Sequence, residues 1–315
     1  MKEFGKLTFK SPREIWPSES RDFTPWLADN IGLLGEALGM ELELVEREVG
    51  VGNFSVDLLA KDLGTGRNVV IENQFGSTDH DHMGKLLTYG AGLEASTIIW
   101  VAENIRDEHR LTLEWLNQHT DDDIQFFGIT VEIFQIDDSK PAFSFKLVVF
   151  PNEWQRDTSP SSSAKLTARE EAYKNFFQVV IDELRQKHHY TGAKVGQPQS
   201  WYSFSSGCSG ITYALSFAMG DKVRVELYID VGDQDKNKEL FDHLFQKKES
   251  IEGEIGQELS WERLDEKRAS RIAIYRAGSV INDEKVLDEI RRWGIEGLLK
   301  FKSVFSSHLK AYKSR

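Results

Sequence analysis

The apolar residues of the first 135 positions are spaced first as in a helix and then as in strands. From Thr24 to Leu38 they recur every three to four positions behind a capping Thr-Pro pair, which predicts a helix. Residues 41–49, 54–61 and 68–74 alternate in polarity or are β-branched, and glycine-containing turns separate them. These three runs predict a meander of strands.

Helices and strands alternate in the rest of the first half. Helical spacing predicts helices over about residues 79–93 and 107–118, and apolar runs predict strands over 97–102, 124–127 and 130–135. Strands that come first and then alternate with helices are typical of a mixed sheet covered by helices. We therefore predict an α/β fold for the first half.

The second half opens with a capping box, in which Thr167 precedes Glu170 by three positions. A helical pattern follows it as far as about His188. Strands are predicted over residues 201–204, 212–218, 222–230 and 271–275, with a helix over 235–253 and a long terminal helix from Glu284. This order of elements predicts a smaller α+β domain.

A cluster of serine and proline at residues 157–164 is typical of a linker. We therefore predict a first domain over residues 1–156 and a second over residues 165–315. The net charge of −12 divides unevenly: the first part holds 14 Lys and Arg against 27 Asp and Glu, and the remainder holds 25 against 24. Such asymmetry is typical of domains with different partners, although surface drift also produces it.

Composition excludes several classes of protein. The single cysteine, Cys208, rules out a disulfide framework and a zinc site built from several thiolates. No apolar run reaches the roughly 18 residues that a membrane span requires, and the first residues lack the apolar stretch of a signal peptide. We expect a cytoplasmic protein with no membrane partner.

Two carboxylates occupy strand positions where apolar residues are expected. Asp57 and Glu72 interrupt apolar runs on neighbouring predicted strands, and a turn near Gly64 sets them roughly opposite each other, with Gln74 on the face of Glu72. Buried carboxylates are costly unless they are paired. A divalent cation is a natural partner, and oxygen ligands favour Mg²⁺ or Mn²⁺. The alternative is that either carboxylate is exposed or pairs with a distant arginine.

These residues resemble the signature of the PD-(D/E)XK nuclease superfamily, an Asp on one strand followed after a hairpin by Glu-X-Lys on the next. Here Asp57 is followed by Glu72 and, two positions later, by Gln74 in place of the lysine. The resemblance covers about residues 20–135. Through the runs 71–74 and 78–82 the whole chain also resembles a prokaryotic family in which such a domain is joined to a second domain of unknown function.

The resemblance extends to the helices on either side of the strands. Lys85 and Tyr89 match the Gln-X-X-X-Tyr motif of RecB-like members, with lysine in place of glutamine. In many members a glutamate on the first helix completes the metal shell, and Glu36 is the matching position. The family implies metal ligation by Asp57 and Glu72. It also implies a restriction-endonuclease-like mixed sheet flanked by helices, here followed by a smaller α+β domain.

The presence of Gln74 removes a positive charge from the motif. In the family the lysine positions the attacking water and stabilises charge on the phosphate, whereas a glutamine amide orients water without carrying charge. Asp81, Lys85 and Tyr89 recur at four-residue spacing and share one helical stripe, so Lys85 faces the site if Tyr89 does. The alternative is a weak surface pair of Asp81 with Lys85.

The run Asp79-His80-Asp81-His82 contains residue types that ligate metals. It lies at the start of a predicted helix, where capping and the helix dipole explain it more simply. A histidine at this position is also placed to approach a phosphate, because helix N-termini favour anions.

The terminal segment of the second half is a candidate DNA-binding surface. It carries Arg291, Arg292, Lys300, Lys302, His308, Lys310, Lys313 and Arg315, interleaved with Trp293, Phe301, Phe305 and Tyr312. Clustered cations bind phosphates, and aromatic rings stack on exposed bases. The alternative is that the rings form the core face of a helix and the cations its solvated back. A role in dimerisation is equally open.

The function that these motifs imply is hydrolysis of phosphodiester bonds. We expect a Mg²⁺- or Mn²⁺-dependent endonuclease acting on nucleic acid, and on DNA in particular, in restriction, phage defence or repair. Asp57 and Glu72 bind the metal with Glu36 as an extra ligand, Gln74 orients the water, and Lys85 balances charge on the phosphate. The rival hypothesis is a domain that has lost catalysis and binds nucleic acid or protein. Either function is compatible with a homodimer.

Overall fold

The computed structural model describes residues 4–121, 123–151 and 166–313. These residues form two compact units. The first unit precedes residue 152, and the second follows residue 165 and includes the short pieces Gly39–Glu41 and Leu63–Thr65. The predicted linker, residues 157–164, lies outside the described residues.

The first unit is built on a seven-stranded mixed sheet. Its strands are β1 (Leu7–Lys10), β2 (Leu42–Val51), β3 (Phe54–Asp62), β4 (Arg67–Ser77), β5 (Thr97–Asn104), β6 (Gln125–Ile136) and β7 (Ala142–Val149). The order is β1-β6-β5-β4-β3-β2, and β7 also pairs with β6. The pairs β4–β5 and β5–β6 are parallel, and the other pairs are antiparallel. Parallel neighbours need a crossover connection, which explains why helices follow β4 and β5.

Helices cover both faces of this sheet. They are α1 (Pro12–Ile15), α2 (Thr24–Asp29), α3 (Ile31–Leu38), α4 (His80–Gly92) and α5 (Asp107–His119), with a π-helical segment at Glu19–Phe23. On one face, Leu86 of α4 and Leu113 of α5 share a core with Val70 of β4. Asn73 points to the other face, where its Nδ2 donates to Thr24 Oγ1 over 2.9 Å. The predicted α/β class, a mixed sheet flanked by helices, is confirmed.

The helix predicted over residues 24–38 is interrupted at Asn30. This residue has φ −120° and ψ 28°, and its side-chain Nδ2 donates to the carbonyl of Trp26 over 2.7 Å. An asparagine side chain that bonds to nearby backbone competes with helical hydrogen bonding. The prediction of one continuous helix was therefore wrong, and α2 and α3 are separate.

The two strands predicted over 124–127 and 130–135 are one strand, β6. Gly128 lies between the two predicted runs. A Cβ at this position would lie 2.9 Å from Ile105 and 3.2 Å from both Leu113 and Val149. The glycine therefore permits close packing within a strand and does not end it. The strands β1 and β7 were not predicted.

The second unit has a five-stranded antiparallel sheet with helices. Its strands are β8 (Trp201–Cys208), β9 (Ile211–Ala218), β10 (Lys222–Ile229), β11 (Ser260–Glu262) and β12 (Ser270–Ala277), in the order β11-β12-β10-β9-β8. Its helices are α6 (Ala168–Gln186), α7 (Gln234–Phe245), α8 (Lys248–Ile255) and α9 (Glu284–Lys313). The predicted second α+β domain, with the smaller sheet, is confirmed. Among the described helices of both units, none is long and apolar enough to cross a membrane.

The aromatic residues of α9 belong to the core of the second unit. Phe301 and Phe305 are fully buried, and Trp293 and Tyr312 are partly buried against the same cluster. The core-face alternative is therefore confirmed for this stripe. Fully buried rings are not accessible for stacking on bases.

Several cations of α9 are also engaged within the unit. Arg291 is buried and pairs with Glu284 at 2.5 Å and with Asp288 at 2.6 Å. His308 lies 3.7 Å from a carboxylate oxygen of Glu254. Arg315 and the side chain of Lys313 lie outside the described part of the chain.

We predict that Phe301→Ala lowers the free energy of unfolding of the second unit by about 3–5 kcal/mol, the usual cost of truncating a buried phenylalanine. The ring is 0% exposed, and its centroid is 5.3 Å from that of Phe305. Urea denaturation followed by circular dichroism measures the loss. Lys310→Ala, at an exposed position of the same helix, serves as the control and should change stability by less than about 0.5 kcal/mol. An equally small effect of Phe301→Ala would show that the ring is not in the core.

Candidate functional site

Asp57 on β3 and Glu72 on β4 lie side by side. The antiparallel register pairs Leu58 with Ile71, so Asp57 and Glu72 occupy the next opposed positions and share a face. The backbone N–H of Asp57 donates to Glu72 Oε2 over 3.5 Å, and the N–H of Asn73 donates to Asp57 Oδ2 over 2.8 Å. The structure thus brings these two carboxylates together.

Burial controls the protonation of both carboxyl groups. Glu72 is 3% exposed, and burial together with the charge of Asp57 raises its pKa from 4.5 to about 8. Burial also raises the pKa of Asp57, against the effects of the Asn73 N–H and of the charges of His82 and Lys85. Two like charges withdrawn from water explain both directions. Such a pair favours a nearby cation.

A third carboxylate, Glu19, belongs to the same electrostatic environment and was not predicted. It starts the π-helical segment, and burial followed by the charge of Asp57 raises its pKa. The charges of His82 and Lys85 act in the opposite direction. Its only sequence signal is the preceding capping serine, which predicts a turn and not a site. Glu19, Asp57 and Glu72 are called the acidic cluster below.

Helix α4 brings Lys85 to the acidic cluster. The helix begins at the predicted cap, where Asp79 Oδ1 accepts from the N–H of His82 over 2.9 Å. Lys85 Nζ lies 3.8 Å from Glu72 Oε1, whereas Asp81 is exposed. Lys85 therefore pairs with the buried Glu72, as expected if Lys85 and Tyr89 face the site together. Its charge lowers the pKa of Glu72 but does not outweigh burial and Asp57.

Gln74 is buried on the face of Glu72, but its amide bonds to residues at the start of α4. Its Nε2 donates to Asp79 Oδ2 over 2.7 Å and to the carbonyl of Ser77 over 3.1 Å. Asp79 Oδ1 lies 2.8 Å from His82 Nδ1, so one carboxylate links Gln74 to the imidazole. Within the described chain, Gln74 Oε1 is buried without a hydrogen-bond partner.

Tyr89 connects α4 to β3. Its hydroxyl donates to the carbonyl of Ser55 over 2.8 Å, and its ring is fully buried. Burial, followed by the charges of Glu72 and Asp57, raises its pKa to about 12. The raised pKa keeps the phenol protonated, so Tyr89 is not placed to exchange a proton. Its hydrogen bond to Ser55 positions α4 beside the acidic cluster.

Glu36, the predicted third metal ligand, is exposed on α3. The buried residues of that helix are Leu34, Gly35 and Leu38, so position 36 lies on the opposite side of the helix. No hydrogen bond or ion pair joins Glu36 to the acidic cluster within the ranges that the structure describes. The structure therefore does not bring Glu36 to this site, and Glu19 is the additional carboxylate there.

The run at residues 79–82 behaves as a helix start. His109 Nε2 lies 2.9 Å from His80 Nδ1, and His109 Nδ1 lies 2.7 Å from Thr78 Oγ1. Burial, followed by the charge of His80, lowers the pKa of His109. His80 therefore faces another histidine, and Asp79 supplies the cap. The capping interpretation is confirmed.

Asp57 and Glu72 fit a divalent cation that needs few protein ligands. Within residues 4–121, 123–151 and 166–313, no three His, Cys, Asp or Glu side chains are grouped as ligands of one ion. Mg²⁺ is usually held by one or two carboxylates and completes its shell with water and substrate phosphates. Asp57 and Glu72, two neighbouring carboxyl groups whose pKa is raised, match that donor set.

The similarity to known proteins concerns the second unit. Residues 172–309 match the model of a family described as a domain of unknown function, DUF4268. No curated protein and no solved structure matches the chain. The matched residues begin after the acidic cluster and do not include Asp57 or Glu72.

We predict that Glu72→Gln removes a pH-dependent loss of stability from the first unit. A carboxyl whose pKa rises on folding from 4.5 to about 8 favours folding below pH 4.5 and loses that contribution as pH rises through 8. Between pH 4.5 and pH 8 the free energy of unfolding of the variant should rise progressively relative to that of the wild type. The difference should reach at most about 5 kcal/mol, since one unit of pKa corresponds to about 1.4 kcal/mol. Hydrogen exchange of the β3 and β4 amides at pH 5 and pH 9 measures the gain.

Glu36→Gln is the matched control for this experiment, because Glu36 is exposed. It should leave the pH dependence of the wild type unchanged. If the wild type shows no decline in protection between pH 5 and pH 9, Glu72 does not carry the raised pKa.

Proposed function

We propose that the first unit is a divalent-metal-dependent nuclease that hydrolyses phosphodiester bonds of DNA. The observation that carries the proposal is the buried Glu72 beside the half-buried Asp57, with Lys85 Nζ 3.8 Å from Glu72. Carboxylates that attract a cation, next to an ammonium that attracts a phosphate, are what phosphodiester hydrolysis requires. The resemblance of residues 20–135 to PD-(D/E)XK nucleases supports the same reaction.

Each residue of the pair has a defined part in this reaction. Asp57 and Glu72 would hold a Mg²⁺ or Mn²⁺ ion, which would supply a Lewis acid for the phosphate and make water more acidic. The side chain of Lys85 is 35% exposed, so its ammonium is accessible to a phosphate oxygen as well as to Glu72. Because both carboxyls have a raised pKa, cation binding displaces protons and strengthens with pH.

Gln74 occupies the position of the family lysine. Through Asp79 it is linked to His82, which we assign as the acceptor of a proton from the attacking water. Asp79 holds His82 through Nδ1 at 2.8 Å, which leaves Nε2 to take a proton from water. The charge of His82 acts on both Asp57 and Glu19, so the imidazole belongs to the same environment. Gln74 anchors Asp79 at 2.7 Å and thereby orients the histidine.

The biological setting is part of the proposal. The resemblance implies action on DNA in restriction, phage defence or repair, and the single cysteine favours a reducing, cytoplasmic compartment. A homodimer suits an enzyme that cuts both strands.

A second candidate function is a binding module that has lost catalysis. The observation that favours it is the engagement of Gln74, whose Nε2 already donates to Asp79 and Ser77. An amide held in this way neither carries the charge of the family lysine nor donates to a phosphate. In this case the acidic cluster would bind a cation without cleavage.

We predict that the wild type nicks supercoiled plasmid DNA with Mg²⁺ or Mn²⁺, and that Asp57→Asn lowers the rate at least about a hundredfold, as expected when a charge that stabilises the transition state is lost. A gel-based nicking assay with and without chelator measures both effects. Asp138→Asn, at an exposed turn, should cleave like the wild type.

Calorimetric titration of Mg²⁺ separates the two candidates. Metal binding that depends on Asp57 without cleavage of DNA or RNA would favour the binding module. Absence of both cleavage and metal binding would contradict the two proposals together.

We predict that Lys85→Met lowers the nicking rate about tenfold to a hundredfold while Mg²⁺ still binds, because the ammonium stabilises charge on the phosphate. Rates at saturating metal, combined with calorimetry, measure the two effects separately. Lys140→Met, at another exposed lysine of the first unit, is the control. Wild-type cleavage by Lys85→Met would mean that Lys85 only pairs with Glu72.

A further inference from the structure

A cleft in the second unit, where α6 ends and α9 passes, is not part of the acidic cluster. Its volume is about 380 Å³, which is the size of a site for a small molecule. It is lined chiefly by His188, His189, Tyr190, Leu299, Lys302 and Ser303. The lining contains no carboxylate, although the chain as a whole has a net charge of −12.

Lys302 is the charged group of the cleft. Its Nζ donates to the carbonyl of Tyr190 over 2.9 Å and lies 4.1 Å from the centroid of the Tyr190 ring. Among the described residues no carboxylate lies within ion-pair distance of it. Burial lowers the pKa of Lys302, whereas the negative charge of Glu41 acts to raise it. The ammonium has three N–H donors, so it retains donors for a ligand.

Further donors surround this ammonium. His188, His189 and Ser303 are exposed, and none of them has a side-chain hydrogen bond within the described part of the protein. Arg291 of the same helix, by contrast, is buried and pairs with Glu284 at 2.5 Å. The cleft therefore holds a cation without an ion pair beside three exposed polar side chains.

Tyr190 adds a buried polar group that lacks a partner. It is 7% exposed, and its hydroxyl makes no hydrogen bond within the described residues. A buried hydroxyl left without a partner costs about 1–3 kcal/mol, and such groups often mark ligand sites. Its ring and Leu299 also give the cleft apolar walls for the organic part of a ligand.

We propose that this cleft binds the phosphate group of a small phosphate monoester. A lysine and a serine from α9 and two histidines from the segment after α6 line the cleft, and a tetrahedral dianion accepts from several directions at once. A carboxylate offers two oxygens and a single charge, so it satisfies fewer of these donors. The volume admits a pentose phosphate or a mononucleotide.

The experiment titrates the full-length protein with ribose 5-phosphate, inorganic phosphate and ribose, using calorimetry. Binding of both phosphates but not of ribose is the expected result. Tighter binding of the ester than of inorganic phosphate would show that the apolar walls contribute, and equal binding would assign the site to phosphate alone. Failure of both phosphates to bind at millimolar concentration would overturn the proposal.

Two variants locate the site. Lys302→Met keeps an unbranched apolar side chain beside the Tyr190 ring and should weaken ribose 5-phosphate binding at least about tenfold, the usual effect of losing a charged hydrogen bond. Lys300→Met, on the same helix at an exposed position outside the cleft lining, is the control and should bind like the wild type.

His189→Asn is the second variant, because asparagine tolerates the φ of 49° at this position. It lies on an exposed segment, so it should fold even if Lys302→Met does not. A several-fold loss of affinity in His189→Asn supports the cleft, and wild-type binding by both folded variants would place phosphate elsewhere.

Discussion

The placement of Asp57 beside the buried Glu72 on adjacent strands is the constraint to which the rest of the first unit responds. Each carboxylate alone is costly to remove from water, and together they repel each other. The paired register of the two strands ends at Leu58 and Ile71. Asp57 and Glu72 are the next residue on each strand, and the N–H of Asp57 donates to Glu72 Oε2 over 3.5 Å. A slip by one residue would turn both side chains to the other face. The sheet therefore holds two carboxyl groups side by side where water is largely excluded, and this raises the pKa of both.

The surroundings compensate this pair only in part. The N–H of Asn73 donates to Asp57 at 2.8 Å, and Lys85 supplies one positive charge at 3.8 Å from Glu72. Tyr89 holds α4 in place through Ser55, which keeps that lysine within reach. The pKa of Glu72 nevertheless stays raised to about 8. A fold selected only for stability would have placed an apolar pair here, because such pairs replace buried charges at little or no cost.

Sequence periodicity predicted those parts of the site that depend on regular geometry. The two-residue period of strands placed Asp57 opposite Glu72, and helical spacing placed Lys85 on the stripe of Tyr89. Glu19 was missed because it lies in a π-helical segment without periodicity, and only tertiary packing brings it to the cluster. Glu36 was chosen by its order in the chain, which does not say which side of a helix is buried. The helices and strands were therefore easier to predict from the sequence than the contacts between them.

The charge of the second unit shows why net charge is a poor guide to binding. Its near balance of 25 basic and 24 acidic residues, counted from residue 157, includes many cations that stabilise the fold. Arg271 pairs with Glu226 and, at 3.0 Å, with Glu262, and Lys238 donates to backbone carbonyls. Such groups are already neutralised or satisfied, so they contribute little attraction for phosphate. Among the described residues Lys302 has no carboxylate within ion-pair distance, so the proposed phosphate site depends on this cation. The aromatic rings of the same helix, Phe301 and Phe305, are buried and not accessible to a ligand.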